Sequence, residues 1–198
     1  VTVAGVVLAA GTSTRMGRNK LLLPLDGESL VRRATRAALE AGLAPVIVVL
    51  GHESELVAQA LTGLDCTLVV NGDYESGPGT SVSAGVARAS HSPAEALVLL
   101  LADMPFVTAA MLSALVTRWR ETEAPLVISR YGDAQAPPTL FGRALFEELM
   151  DVDETTGAKP VIAEHAASAA VVEWPASALQ DLDVAADYEA VKDRLSRR

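Results

Sequence analysis

A chain of 198 residues, half of them hydrophobic and only 4% aromatic, is long enough to bury an aliphatic core of Val, Leu and Ala within one domain over residues 1–198. Lys and Arg number 16 against 25 Asp and Glu, a formal charge of −9, which argues against a broad nucleic-acid or membrane-surface interface, since either needs a basic face. The single cysteine, Cys66, excludes an intramolecular disulfide and a multi-cysteine metal site. No stretch reaches the ~20 apolar residues of a membrane span, and the first apolar run has no basic leader before it, so the chain is expected to be cytoplasmic.

In chain order, apolar β-rich runs alternate with amphipathic helical patterns. Strands are predicted at Val3–Leu8, Pro45–Leu50, Thr67–Val70, Ala96–Leu101 and Leu126–Ser129, and their near-continuous hydrophobicity suits central strands buried on both faces. Pro137–Phe141 and Ala170–Trp174 read as later, more peripheral strands. Helices are predicted at Leu30–Ala41 with Ser29 as cap and Gly42 as stop, Glu55–Leu61 capped by Ser54, and Thr80–Ala89. Ala109–Arg120 capped by Thr108, Arg143–Met150 and Ala185–Leu195 complete the set. Such alternation is the signature of an α/β sheet covered on both sides, whose ligands gather at the carboxyl ends of its strands.

Four segments that follow apolar runs carry chemistry. After the first strand, Gly11 to Lys20 is a small-residue loop that delivers Arg15 and Lys20; small residues admit close backbone approach, and loop N–H groups with two cations suit a triphosphate. It is neither a Walker loop, because Lys20 is followed by Leu21, nor a dinucleotide fingerprint, because position 13 is Ser. After the third strand, Asn71 to Ser81 opens a helix, either as a base- or phosphate-binding end or as a loop with a Thr80 cap. After Leu101, Asp103 ends a very apolar strand, where a carboxylate needs a partner such as a divalent cation. Near the end, Asp181 and Asp183 precede the last helix, and Asp183 suits an N-cap or a metal ligand. His52, His91 and His165 share no metal spacing and read as surface or loop residues, Trp119 and Trp174 as packing residues, and Cys66 as a buried small hydrophobe. Lys159 is either an anion contact or a solubilising surface lysine.

Leu8-Ala9-Ala10-Gly11 through Arg15-Met16-Gly17 to Lys20 and Leu23-Pro24-Leu25 resembles the signature of the nucleotidyltransferases related to molybdenum-cofactor guanylyl- and cytidylyltransferases. The likeness continues, in order, through Asn71-Gly72-Asp73-Tyr74, Gly79-Thr80-Ser81, Ala102-Asp103-Met104-Pro105 and Asp181-Leu182-Asp183. The Ala9-Ala10-Gly11 step is similar to the cytidylyl-type loop.

The resemblance implies a Rossmann-like three-layer α/β sandwich with a mixed, mainly parallel sheet, of the nucleotide-diphospho-sugar transferase type. It implies transfer of CMP from CTP to the phosphate of a molybdenum-bearing pterin, with release of pyrophosphate and with Mg²⁺ as cofactor. Arg15, Lys20 and Asp103 become the catalytic set. Leu8, Ala9, Ala10, Gly11, Asn71, Gly79 and Ser81, with Arg15 and Lys20, become the nucleotide site, and Asp103 with Asp183 the metal ligands. A molybdenum hydroxylase is the implied partner enzyme, with neither nucleic acid nor membrane involved.

Two departures fall on the acceptor side: Ala136-Pro137-Pro138 stands where relatives carry Gly-His-Pro, and Thr155-Thr156-Gly157-Ala158-Lys159 replaces Gly-Asp-x-Gly-Ala-Arg. Transfer to another phosphorylated acceptor of the sugar, polyol or phospholactate type, a guanylyltransferase, and a non-catalytic nucleotide-binding chaperone are the alternatives.

Overall fold

Successive side chains of a strand point to opposite faces, so a strand covered on both sides must be apolar at every position. The computed structural model, which describes residues 1–12, 19–179 and 188–189, shows this in its central strands. Strand β1 (Val3–Ala9) sends Val3, Val7 and Ala9 into one core and Ala4 and Val6 into the other. Strand β4 (Val46–Leu50) divides the same way, with Val46, Val48 and Leu50 against Ile47 and Val49. Strand β6 (Ala96–Leu101) sets Ala96, Val98 and Leu100 against Leu97 and Leu99.

The remaining strands of the described chain are β2 (Pro24–Leu25), β3 (Glu28–Ser29), β5 (Thr67–Val70), β7 (Leu126–Tyr131), β8 (Ala134–Gln135), β9 (Thr139–Gly142) and β10 (Ala170–Trp174). The main sheet runs β10-β7-β9-β6-β1-β4-β5, with β8 paired to β7, while β2 and β3 form a separate hairpin. Pairings β1–β4, β1–β6, β4–β5 and β10–β7 are parallel; β9 is antiparallel to both β6 and β7. The sheet is therefore mixed and mainly parallel, as the sequence led us to expect.

Helices α1 (Leu30–Glu40) and α4 (Ala109–Thr122) cover one face, contributing Val31, Ala34, Leu112 and Leu115 to its core. On the other face lie α3 (Pro78–Ser90) and α5 (Phe146–Met150), with Val82, Val86, Phe146 and Leu149. Short helices α2 (Ser54–Ala60) and α6 (Lys159–Glu164) complete the described set. Gly85 lets α3 lie directly on the sheet, since a Cβ there would come 2.5 Å from Val6 Cγ1 and 2.9 Å from Val49 Cγ2.

Several local expectations are corrected. Strand β9 is not peripheral; it is wedged between β6 and β7 with all four residues buried. Strand β5 is not central but an edge, with Leu68 and Val70 40% and 65% exposed, because among the described residues no strand pairs beyond it. Cys66, just before that edge, is half-buried. Ser29 occupies the N-cap of α1 without a side-chain cap bond, because it is also the last residue of the β2–β3 hairpin and takes its direction from that pairing.

Ser54 does not cap α2. Glu53 takes that place in left-handed backbone (φ 50°), and its carbonyl accepts from the N–H groups of Leu56 and Val57. Thr80 lies inside α3, which starts two residues earlier at Pro78, whose fixed φ suits a first helical position. Thr108 does cap α4, its hydroxyl accepting from Met111 N–H at 3.3 Å. The predicted Ala185–Leu195 helix lies outside the described residues except for Tyr188 and Glu189, which are helical. Tyr188 packs with Leu23, Leu25, Leu30 and Phe106 and donates its hydroxyl to the Pro24 carbonyl.

Candidate functional site

Parallel pairing puts the carboxyl ends of β1, β4, β5 and β6 at one edge of the sheet, and the ladders continue past the strands. Ala102 N–H donates to Leu8 carbonyl (3.1 Å), His52 N–H to Ala10 carbonyl (3.2 Å) and Asn71 N–H to Leu50 carbonyl (2.8 Å). The exits therefore leave side by side. They can lie this close because Gly51 has no side chain: a Cβ there would sit 2.7 Å from both Ala10 O and Tyr74 Cγ.

Above these exits opens a cavity of about 1000 Å³. Leu8, Ala10, Gly11, Lys20, Ser81 and Asp103, all singled out from the sequence, line it. Ala9, on the other face of β1, is buried in the core and does not reach the cavity, because adjacent strand residues point opposite ways. Gly79 and Asn71 stand behind the lining. Arg15 and Asp183 lie outside the described residues.

Lys20 and Asp103 meet on the wall, Nζ to Oδ2 at 2.6 Å, with side chains only 13% and 19% exposed. Lys20 opens a 3₁₀ turn (Lys20–Leu22) whose start is fixed by Asn19, a residue given no role from the sequence. The Asn19 side chain accepts from Leu21 N–H at 3.1 Å. The signal was available, since Asn19 stands at the head of Lys20-Leu21-Leu22-Leu23, and Asn just before such a run is a capping pattern. Asp103 is placed by the ladder bond of Ala102 and by the turn that follows, where Val107 N–H donates to Met104 carbonyl and Arg33 Nε to Pro105 carbonyl.

The opposite wall is the start of α3. Gly77 caps it at φ 140°, a conformation that favours glycine, and Gly79 N–H donates to Glu154 carbonyl at 2.7 Å. A Cβ on Gly79 would fall 2.1 Å from Asp153 O, so the glycine is required by the 153–155 segment lying across the helix end. That segment is tied by Asp153, whose carboxylate accepts from Thr155 N–H (2.8 Å) and Thr155 hydroxyl (2.5 Å). These bonds, the hydroxyl first, hold the Asp153 carboxyl below the usual carboxylate range. The same segment carries Lys159, exposed at the start of α6, to the cavity rim, a place that fits both of its sequence readings. Tyr74 and Glu75 complete that wall.

Two lysines, a helix start and a nearly buried carboxylate around one cavity make a place for an anion with a divalent cation. Mg²⁺ takes one or two carboxylates and fills its remaining positions with phosphate oxygens and water, and Asp103 fits that donor set. Away from the cavity, His165 ends α6 and pairs with Glu148 at 2.8 Å, and Glu164 lies close enough to share an ion with both. The acceptor-side departure is also placed. Because Thr139 pairs with Leu99 on antiparallel β9, the preceding Pro137-Pro138 lies at the same end of the sheet as the cavity. Its carbonyls are taken up by Tyr131 hydroxyl (2.9 Å) and Ser129 hydroxyl (2.6 Å). No described helix is long and apolar enough to cross a membrane.

The MobA-like NTP transferase domain matches residues 5–169. The chain is 33% identical over 203 residues to the purine catabolism protein PucB of Bacillus subtilis, covering 97% of each. It is 35% identical over 134 residues to a protein of Opitutus terrae named "Probable molybdenum cofactor guanylyltransferase", covering 68% of this chain and 63% of that one. The crystal structure of Rv0371c from Mycobacterium tuberculosis in complex with manganese superposes with a TM-score of 0.82 at 26% identity, covering 98% of both chains.

Proposed function

The chain belongs to the MobA-like NTP transferase family, and on that premise we propose that this nucleotidyltransferase moves CMP from CTP to the phosphate of a molybdenum-pterin cofactor. A phosphate oxygen of the acceptor attacks the α-phosphorus, a new P–O bond forms, and the bond to the β-phosphate breaks with its electron pair leaving on pyrophosphate. The attacking oxygen is already ionised, so the protein need only align the partners and neutralise charge. The observation that carries the reading is the Lys20–Asp103 pair inside a cavity at the carboxyl ends of parallel strands.

Lys20, with Arg15 assigned by motif, holds the triphosphate and stabilises charge on the leaving pyrophosphate. Lys159 adds a third cation from the opposite rim. Asp103, with Asp183 assigned by motif, would hold a Mg²⁺ ion, which would supply charge neutralisation for the phosphates. That the Mycobacterium tuberculosis structure is a complex with manganese supports a divalent ion as cofactor. Leu8, Ala10 and Gly11 line the nucleotide's side of the cavity, Ser81 reads the base, and Gly79 admits the 153–155 segment across the start of α3, which carries Lys159 to the rim.

A second reading, transfer to a phosphorylated acceptor other than the pterin, is favoured by one observation. The Pro137-Pro138 segment offers no imidazole, and its carbonyls are already bound to Tyr131 and Ser129. Pyrophosphate release measured with Mg²⁺ or Mn²⁺ over CTP, GTP, ATP and UTP, with and without the pterin cofactor, separates the readings. Release from CTP that depends on the pterin supports the first. Release only with a sugar, polyol or lactate phosphate supports the second, and no release from any combination overturns both.

A further inference from the structure

We infer that Asn71 fixes the Ser81 hydroxyl as a hydrogen-bond donor into the cavity and thereby sets which base edge the site accepts; the inference rests on the nucleotidyl-transfer reading of that cavity. It starts from a group of invariable polarity. The Asp73 backbone N–H can only donate, and it meets the Asn71 amide at 3.0 Å, so the atom it meets is Oδ1. The amide NH₂ must then point the other way, where it donates to Thr80 Oγ1 at 2.8 Å and to Ser81 Oγ at 3.0 Å. Flipping the amide would set NH₂ against the Asp73 N–H and lose that bond.

The two hydroxyls differ in what remains to them. Thr80 accepts from Asn71 and turns its proton to backbone carbonyls, that of Gly77 at 2.8 Å and that of Asp73 at 3.1 Å. Ser81 also accepts from Asn71, and it lines the cavity. One of its two lone pairs is engaged by the amide, and its proton is left to turn towards whatever the cavity holds. Both side chains are buried, Asn71 7% and Ser81 6% exposed, so solvent does not rearrange the pair.

A donor at this position selects a base edge made of acceptors. Cytosine offers N3 and O2 together, whereas uracil and guanine each interpose a ring N–H on the corresponding edge. Asn71 is thus a positioning residue, acting through Ser81 without reaching the base. Replacing its amide by a carboxylate reverses the polarity. In Asn71→Asp one carboxylate oxygen still accepts from Asp73 N–H, while the other draws the Ser81 proton to itself and leaves a Ser81 lone pair facing the base.

The test is the dissociation constant of CTP, UTP, GTP and ATP, and of inorganic tripolyphosphate as a base-free probe, for the wild type, Asn71→Asp and Ser81→Ala. We expect the wild type to favour CTP, and Ser81→Ala to weaken CTP about tenfold, the worth of one good neutral hydrogen bond, with tripolyphosphate unchanged. Asn71→Asp lowers the CTP-to-GTP preference by about tenfold or more. Should that variant not fold, Asn71→Ala frees the hydroxyl to turn either way and brings the preference towards unity. A structural role alone would weaken all nucleotides and tripolyphosphate together, and that pattern overturns the inference. So does an unchanged nucleotide ranking in a folded Asn71 variant when the wild type still releases pyrophosphate. A wild type that binds no nucleoside triphosphate overturns the nucleotidyl-transfer reading and this inference with it.

Discussion

At the scale of single residues, the pairing of Lys20 with Asp103 ties two roles together. An ammonium 2.6 Å from the carboxylate competes directly with a divalent cation for it. Removing that charge therefore has opposite effects on the two ligands. Lys20→Met is expected to tighten Mn²⁺ binding to the nucleotide-free protein, read by titration, while it weakens triphosphate binding and cuts turnover by orders of magnitude. Asp103→Asn is expected to lose Mn²⁺ binding and turnover together with little change in thermal midpoint; near-normal turnover in either variant contradicts the assignment.

A different ionic contact carries pH dependence. Glu28 accepts from Arg36 Nε at 2.9 Å and Nη2 at 2.7 Å. Its carboxyl is held below the ordinary 4.5 by that hydrogen bonding and by the charges of Arg36, Arg33 and Arg32, against a burial effect of opposite sign. A depressed folded value contributes stability above the unfolded value that is lost as pH falls through the folded one. Glu28→Gln should therefore cost about 1 kcal/mol or less at pH 7, and the gap in denaturation midpoint should close below pH 4.5.

At the scale of elements, what positions the site is close approach. Helix α3 lies against the sheet through Gly85 and against the 153–155 segment through Gly79. Gly85→Ala places a methyl group 2.5 Å from Val6 Cγ1, so the helix must lift, at a cost of about 1–3 kcal/mol in stability. Gly79→Ala meets backbone, not a side-chain tip, and is expected to displace the segment that carries Lys159. The comparison is sharp. Gly85→Ala should lower the thermal midpoint with triphosphate affinity largely retained, whereas Gly79→Ala should reduce affinity for tripolyphosphate as well. Equal effects of the two on affinity would contradict separate roles for the two contacts. From the sequence, the small residues of α3 marked a close-packed helix but named neither neighbour, because Val6 lies 79 residues from Gly85 and Asp153 lies 74 from Gly79, beyond any local pattern.

At the scale of the molecule, the cavity draws its walls from β1, β6, the start of α3 and the start of α6. A ligand that bridges these elements stabilises the whole cooperative unit. Nucleotide with Mg²⁺ at a hundred times its dissociation constant should add about 2.7 kcal/mol, or roughly 5–10 °C in thermal midpoint for a chain of this size. The shift with both present should exceed the sum of the shifts with each alone, because Asp103 and the phosphates share the ion; a merely additive shift argues against a shared metal.

The sequence by itself determined the apolar strands β1, β4 and β6, the order of α and β elements, the loops after β1 and β6 that hold Lys20 and Asp103, and the family. These follow from local composition and fixed spacing: apolar runs of strand length, a capping Thr108, and a motif contiguous along the chain. Only the tertiary structure decided that β9 is inserted at the centre, that β5 is an edge, that Ala9 turns away from the cavity, and that Lys159 arrives at its rim. Those depend on which strands pair and on which face each residue takes. Pairing energy is gained between segments distant in sequence, so no local window carries it. The opposite fates of Thr80 and Ser81, adjacent hydroxyls on one helix turn, were likewise decided by an amide ten residues away from Ser81 whose orientation is set by the backbone of Asp73.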